Sequence, residues 1–413
     1  MLTMEEIAVP EPDLTPDEVV ARARALRDRV RAEAQTAEAA GRYSPELHRA
    51  FVEAGFFRIL QPRRYGGYGF DLETFLRVTM TIAEGDLGTG WNLSLGSAHV
   101  LQVCAYFGEQ AQDELFAHRD GYFSSPHRAA PEGKATKVEG GYRVSGRWAY
   151  SSGSPYGSHF IATSMGPLPD GRMAVLAPIV PMEQCTLVDD WGGDNSIGLR
   201  ASGSNTVVVD DVFVPDHLVV DGNWLGAKHP PEGPQGFLVH QAPMYLGRTM
   251  TIYYGELAAL LVGAARGAVA EFERLTREKS TPLPPIVPRI QSPDYLRWLG
   301  QARRKTNAAE ALVFTVARRY RELGERFITE GVPFTIADDD GLRNLALQAQ
   351  ELATEAVELC FRRAGASATR PGSALERAFR DVSLAATHPA ANLEDAAEMS
   401  SRLQLGLEPE FIH

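Results

Sequence analysis

Cysteine is scarce: the chain has three. Cys104, Cys185 and Cys360 stand far apart with no CxxC pair, which argues against a disulfide framework or a zinc cluster and leaves plain buried thiols. No apolar run approaches the ~20 residues that a membrane span requires. Basic residues are in the minority, 41 against 53 acidic ones. The net charge of -12 repels nucleic acid and anionic lipid, and no basic stripe interleaved with aromatics overrides it. The opening MLTMEEIAVPEPDLTPDE has neither a basic n-region nor an apolar h-region, so a cytoplasmic protein without a secretory signal is expected. Familiar chemical motifs are missing as well. Gly85, Gly88 and Gly90 have the wrong spacing for GxGxxG and no strand before them, and no GxxxxGK[ST] loop occurs. The nearest approach to GxSxG is Asp194-Asn195-Ser196-Ile197-Gly198, which lacks the first glycine. The ten histidines form no HExxH or other ligand pair, so no metal site is expected. Small molecules or protein partners remain.

What is present fits a large globular chain. At 413 residues, 44% hydrophobic and 23% charged, there is material for two or three cooperating domains. Thr15-Pro16-Asp17-Glu18 is a capping box that starts a helix carrying Val19, Val20, Ala23, Leu26 and Val30. Ser44-Pro45-Glu46 starts a second, which Gly55 is placed to end, and Asp71 caps a third with Phe75, Leu76 and Met80. From Gly121 the pattern turns to short strands. Gly140-Gly141 between Lys137-Val138-Glu139 and Tyr142-Arg143-Val144 reads as a hairpin, and Phe160 to Thr163, Met173 to Leu176 and Thr206 to Val209 supply more, ending near Pro215. Helical periodicity then returns over residues 256–272, 293–323, 342–363 and 374–405, four long helices. Asp338-Asp339-Asp340 reads as a solvated run favouring the helix after it, with no function.

Helices, then strands, then a helical bundle is the order of the acyl-CoA dehydrogenase superfamily, which the chain resembles over nearly its whole length. Phe51-Val52-Glu53-Ala54-Gly55-Phe56-Phe57 and Pro62-Arg63-Arg64-Tyr65-Gly66-Gly67 resemble its N-terminal segment. Gly198-Leu199-Arg200-Ala201-Ser202-Gly203-Ser204 running into Val212-Phe213-Val214-Pro215 resembles its central signature. The stretch from Gly140 to Trp148 and Tyr150-Ser151-Ser152-Gly153 resembles the part of its β domain that lies against the flavin. The implied fold is α+β: an N-terminal helical domain (1–120), a central small β-barrel or sandwich (121–220) and a C-terminal four-helix bundle (221–413). One departure points to a branch. Where the dehydrogenases carry a catalytic glutamate beyond an Arg-Asp pair, Arg380-Asp381 is followed by His388-Pro389. That pattern, with Leu375 to Asp381 before it and Ser152-Gly153 in place of Thr-Asn-Gly, resembles the two-component flavin-dependent monooxygenases. These include p-hydroxyphenylacetate hydroxylase oxygenase components, steroid-ring hydroxylases and amine or amino-sugar N-oxygenases.

The resemblance implies reduced FMN from a separate flavin reductase, with FAD still open, and oxygen transfer through a flavin C4a-hydroperoxide to a phenol or an amine. It implies His388 as base or hydroperoxide partner, His99 as a substrate-contacting histidine and Ser152 as a bond to the flavin near N5. Ser125 and His127 border flavin and substrate, and Trp148 packs on the ring. Arg277 and Gln291 grip the phosphate end across a subunit interface, Gly365 passes close to it, and the assembly is a homotetramer. Tyr245, Arg248 and Tyr254 lie on a helix that faces the flavin and would line the substrate. Each has a plainer reading: His388 bonded to backbone, His99 in a packed interface, Ser152 a turn former, Trp148 in the core, Gly365 a helix cap. Moving a proton from a phenol of pKa ~10 to a histidine of ~6.5 costs roughly 4–5 kcal/mol. The site therefore needs donors to the phenolate as well. The alternatives are an FAD-dependent acyl-CoA dehydrogenase with Glu394 as base, and a flavin-free scaffold.

Overall fold

The computed structural model describes residues 7–117, 121–227 and 229–407. The capping box forms as read: Thr15 N–H donates to Glu18 at 2.8 Å while Glu18 N–H donates to Thr15 Oγ1. Helix α1 (Pro16–Ala40) follows, with Val19, Val20, Ala23 and Val30 buried. Ser44 caps α2 (Pro45–Glu53) and Asp71 caps α3 (Leu72–Gly85). Asp86 accepts from Thr89 N–H at 2.8 Å and starts α4 (Leu87–Ser97), after which come α5 (Val100–Tyr106) and α6 (Glu109–Phe116). The expected domain boundary at 120 falls on residues 118–120, outside those described.

The strands are β1 (Gly133–Val138), β2 (Gly141–Trp148), β3 (His159–Ile161), β4 (Ser164–Pro167), β5 (Met173–Pro181), β6 (Thr186–Val188), β7 (Thr206–Pro215) and β8 (Val219–Asp221). They form one sheet along the path β3-β5-β4-β1-β2-β7-β6, with β8 on β5. The hairpin pairs Val138 with Gly141, so its two-residue loop is Glu139-Gly140, with Gly140 at φ 74°. Trp148 is fully buried.

A short α7 (Phe237–His240) leads to α8 (Thr249–Glu278), α9 (Pro293–Glu330), α10 (Ile336–Ala364), α11 (Ala374–Ala385) and α12 (Leu393–Gln404). The helix expected over 374–405 is thus two, because Pro389 lacks the N–H that would continue the ladder. Helix α8 packs against α3, α4, α9, α10 and α11, so it is buried almost all round. The acidic run is not solvated. Asp338 completes a capping box with Thr335, but Asp339 is 2% exposed and accepts from Thr251 N–H at 2.8 Å, capping the start of α8 from outside. Asp340 is buried against Arg343 and Asn344.

Two contacts hold the sheet against the helices. Gly198 lies so close to α11 that a Cβ there would stand 2.3 Å from the Arg380 carbonyl oxygen, and the next residue, Leu199, donates its N–H to Asp381 at 2.7 Å. The Arg-Asp pair read from sequence therefore docks the central signature. Arg380 also bonds Glu38 at 2.7 Å, tying α1 to α11.

Candidate active site

Helix α4 is the spine of the site. Trp91 donates its indole N–H to Ser152 Oγ at 3.1 Å. Ser152 Oγ lies 2.7 Å from Ser204 Oγ, which lies 2.6 Å from Ser202 Oγ, so three hydroxyls from two glycine turns form a chain. Gly153 follows at φ 85°, and a Cβ there would stand 3.0 Å from both the Asn92 carbonyl oxygen and Gly96 Cα. Glycine lets the turn rest directly on α4.

His388 packs against Trp91 with ring centroids 5.6 Å apart. Its Nδ1 accepts the Ala390 N–H at 3.1 Å, and burial, with the Arg128 charge nearby, pushes its pKa down to about 4. A neutral imidazole that accepts at Nδ1 carries its proton on Nε2, so His388 offers a donor. His99 is the opposite tautomer. Its Nδ1 lies 2.8 Å from the Ser125 carbonyl oxygen, which only accepts, so the proton sits on Nδ1 and Nε2 is bare. Burial pushes this ring, too, to about 4. Trp91 and His99 are eight residues apart, roughly 12 Å along the helical run.

The His99 ring meets His127 at 5.1 Å and Tyr253 at 5.8 Å. His127 Nε2 lies 2.9 Å from Thr163 Oγ1 and its Nδ1 3.2 Å from the Tyr253 hydroxyl. Trp224 packs on His127 at 5.2 Å. One turn beyond Tyr253, the buried Glu256 accepts from Ser94 Oγ at 2.8 Å, and burial pushes its carboxyl up to about 8.

Of the residues expected from sequence, His388, His99, Ser152, Ser125 and His127 come together here; Ser125 contributes its carbonyl to His99. Others do not. Trp148 donates to the Thr163 carbonyl at 2.8 Å and packs edge-on against Phe160; it is a plug of the sheet. Tyr245 is buried with its hydroxyl on the Leu60 carbonyl at 3.0 Å, turned into the N-terminal helices. Tyr254 faces α10, where Arg343 stands 5.6 Å over its ring. Its neighbour Tyr253 is the one that reaches the site. Arg248, just before α8, is tied to the Ala227 carbonyl at 3.2 Å. Glu394 is exposed in the first turn of α12, so it cannot serve as a buried base. Arg277 is exposed and pairs with Glu273 at 2.8 Å, Gln291 is exposed, and Gly365 lies beside the Arg289 guanidinium. Arg277 is 21 residues along α8 from Glu256, roughly 30 Å away.

Sequence reasoning missed Trp91, Tyr253, Glu256, Trp224 and Arg128. A glutamate directly before the apolar run Leu257-Ala258-Ala259-Leu260-Leu261 of α8 was the available signal for one of them. A cleft of about 440 Å³ elsewhere, between α9 and α10, is lined by Arg319, Glu322, Arg326 and Asp338 and by none of these side chains. Among the described residues no group of His, Cys, Asp and Glu is placed to hold a metal, and no helix is long and apolar enough to cross a membrane.

Comparison with known proteins shows the family and the fold. The acyl-CoA dehydrogenase N-terminal domain family matches residues 17–119 and the acyl-CoA dehydrogenase C-terminal domain family residues 256–393. The oxygenase subunit HsaA, a flavin-dependent monooxygenase of Rhodococcus jostii, is 37% identical over 59% of this chain. That match spans 62% of the relative's length. A pigment production hydroxylase of Rhodococcus is 30% identical over 73% of this chain and 75% of its own. The crystal structure of a 3-HSA hydroxylase from Rhodococcus sp. RHA1 superposes with a TM-score of 0.84 at 29% identity, covering 95% of this chain and 98% of that one.

Proposed function

We propose, since the chain belongs to the acyl-CoA dehydrogenase superfamily, that it is the oxygenase component of a two-component flavin-dependent monooxygenase acting on a phenol. The observation that carries this is the pair of opposite tautomers on α4's flanks, a donor at His388 and an acceptor at His99. A flavin ring edge presents accepting nitrogens and oxygens. The donors near Trp91 suit it: the Ser152 hydroxyl, His388 Nε2–H and the Arg128 Nε–H, which is buried with no partner among the described residues. Reduced flavin, FMN with FAD still open, would be supplied by a separate reductase and would bring the activation of O2.

The chain's own task is the substrate proton. Full transfer from a phenol of pKa ~10 to an imidazole near 4 costs about 8 kcal/mol, more than for an ordinary histidine. His99 Nε2 therefore accepts a hydrogen bond in the ground state and takes the proton only as the ring gives up electron density and its O–H becomes strongly acidic. His127 and Tyr253 wall the ring and keep water out. An amine N–H would also meet His99, but the aromatic walls favour a phenol. Arg277, roughly 30 Å along α8 from Glu256, is too far to reach this site, and we assign it, with Gln291, to the phosphate end of flavin in a neighbouring chain of a homotetramer.

Glu394 at the surface weighs against the acyl-thioester alternative. The test is to bind anaerobically reduced FMN, add oxygen and follow the flavin absorbance. A long-lived transient, shortened in His388→Ala and Ser152→Ala, is expected. Immediate reoxidation without a transient in the unaltered protein would overturn the assignment.

A further inference from the structure

Gln102 is 1% exposed, yet both ends of its carboxamide, Nε2 and Oε1, lack a hydrogen-bond partner among the described residues. A buried carboxamide with neither end met is costly, and in native structures such a group usually faces a ligand or ordered water. Its position says where that ligand sits. On α5, Gln102 shares a face with His99 one turn before it and Tyr106 one turn after it. Those two residues are joined by an arc of rings: His99 on His127 at 5.1 Å, His127 on Trp224 at 5.2 Å, and Trp224 stacked on Tyr106 at 5.4 Å. Gln102 stands at the middle of the face that this arc closes over. Trp224 is the second orphan: it is 4% exposed and its indole N–H also has no partner. Tyr106, by contrast, is fully employed, its hydroxyl donating to the Gly247 carbonyl at 2.5 Å.

We propose that Gln102 and Trp224 are specificity residues that read a second, neutral polar group on the substrate, set apart from the hydroxyl that His99 holds. Two donors, Gln102 Nε2–H and Trp224 Nε1–H, require an acceptor, and Gln102 Oε1 requires a donor, so the group both accepts and donates, as a carboxamide or a hydroxyl does. Neither Gln102 nor Trp224 carries a charge to pair with a carboxylate or an ammonium, and the charged neighbours of Tyr106 are committed elsewhere, Arg248 to the Ala227 carbonyl and Asp339 to the start of α8, so the group read is a neutral one. This inference rests on the proposed function for the placement of the phenol. It adds the substrate class, a phenol bearing a distal hydrogen-bonding substituent.

The test is calorimetric titration with 4-hydroxyphenylacetamide and with its apolar near-isostere 4-isobutylphenol, each with and without oxidised FMN. The carboxamide is expected to bind at least about tenfold more tightly. Gln102→Leu should erase that preference while leaving 4-isobutylphenol unchanged, and Trp224→Phe should weaken the carboxamide more than 4-isobutylphenol. Without ligand, Gln102→Leu should melt at the same temperature or higher, since an apolar side chain of like shape removes unsatisfied groups. Equal binding of both phenols, binding of neither, a preference that survives both substitutions, or a clear fall in melting temperature would each overturn the inference. Absence of FMN binding with phenol discrimination intact would sink the flavin assignment and leave this one standing.

Discussion

A histidine held near pKa 4 does not titrate where histidines ordinarily do. His99 should therefore leave the rate of hydroxylation flat from about pH 5.5 to 8, with the acid limb displaced from the usual ~6.5 toward 4. A pH profile of kcat with its limb at 6.5 would contradict the tautomer reading. His99→Asn should lower kcat by about 100-fold or more with flavin affinity unchanged, the range a positioned base supplies. Glu256 makes a stability prediction of the opposite sense. Its carboxyl is near 8 in the fold and about 4.5 unfolded, so the stability it contributes is present below 4.5 and is lost as pH rises toward 8. Glu256→Gln keeps an acceptor for Ser94 and removes the titration. Urea unfolding at pH 5 and pH 8 should show the unaltered protein losing up to about 3 kcal/mol that the variant keeps. His388 and Ser152 stood out because they replace other residues at motif positions, and His99 and His127 because they fall where the resembled family carries site residues. Tyr253 did not, because a helix buried almost all round carries no sequence mark of which face meets the site, whereas Glu256, a charge beside an apolar run, was a mark left unread.

Elements were legible where their ends were chemically marked. Thr15, Ser44 and Asp71 announced three helices, and Gly140-Gly141 a hairpin whose loop sits one residue earlier, at Glu139-Gly140. The break at His388-Pro389 was overlooked because the periodicity runs on across it, yet that break turns His388 out of the helix and gives its Nδ1 a backbone N–H to accept. Asp339 was misread for a related reason: charge runs usually face water, and only the partner helix reveals that this carboxylate caps the start of α8. The junction between elements can be tested at Gly153. Gly153→Ala needs a side chain at φ 85° and a Cβ against α4, so a loss of about 1–3 kcal/mol is expected in urea unfolding. Because Ser152 moves with the turn, flavin affinity should fall as well. Stability unchanged within error would show that the turn does not bear on α4 as described.

At the scale of the whole molecule, Arg277, proposed for the phosphate end of the flavin, lies roughly 30 Å along α8 from Glu256, whose partner Ser94 stands on the same helix as Trp91. The resemblance implies a shared site, and the length of α8 favours a phosphate grip supplied by a neighbouring chain. Mixing Arg277→Ala chains with Ser152→Ala chains before assembly should restore activity that neither variant has alone; no recovery would confine each site to a single chain. The thiols carry a different consequence. Cys104 and Cys360 are buried, and burial pushes the thiols of Cys185 and Cys360 up to about 12. At neutral pH only about one in 10⁵ is a thiolate, the form that peroxide attacks. A protein that meets reduced flavin and oxygen together releases hydrogen peroxide whenever the two react without substrate. None of the three thiols is held in a state to be scarred by such a leak, whereas the exposed thioethers of Met165 and Met173 are open to it, so any activity lost in prolonged idling turnover without catalase should trace to methionine sulfoxide and not to cysteine oxidation.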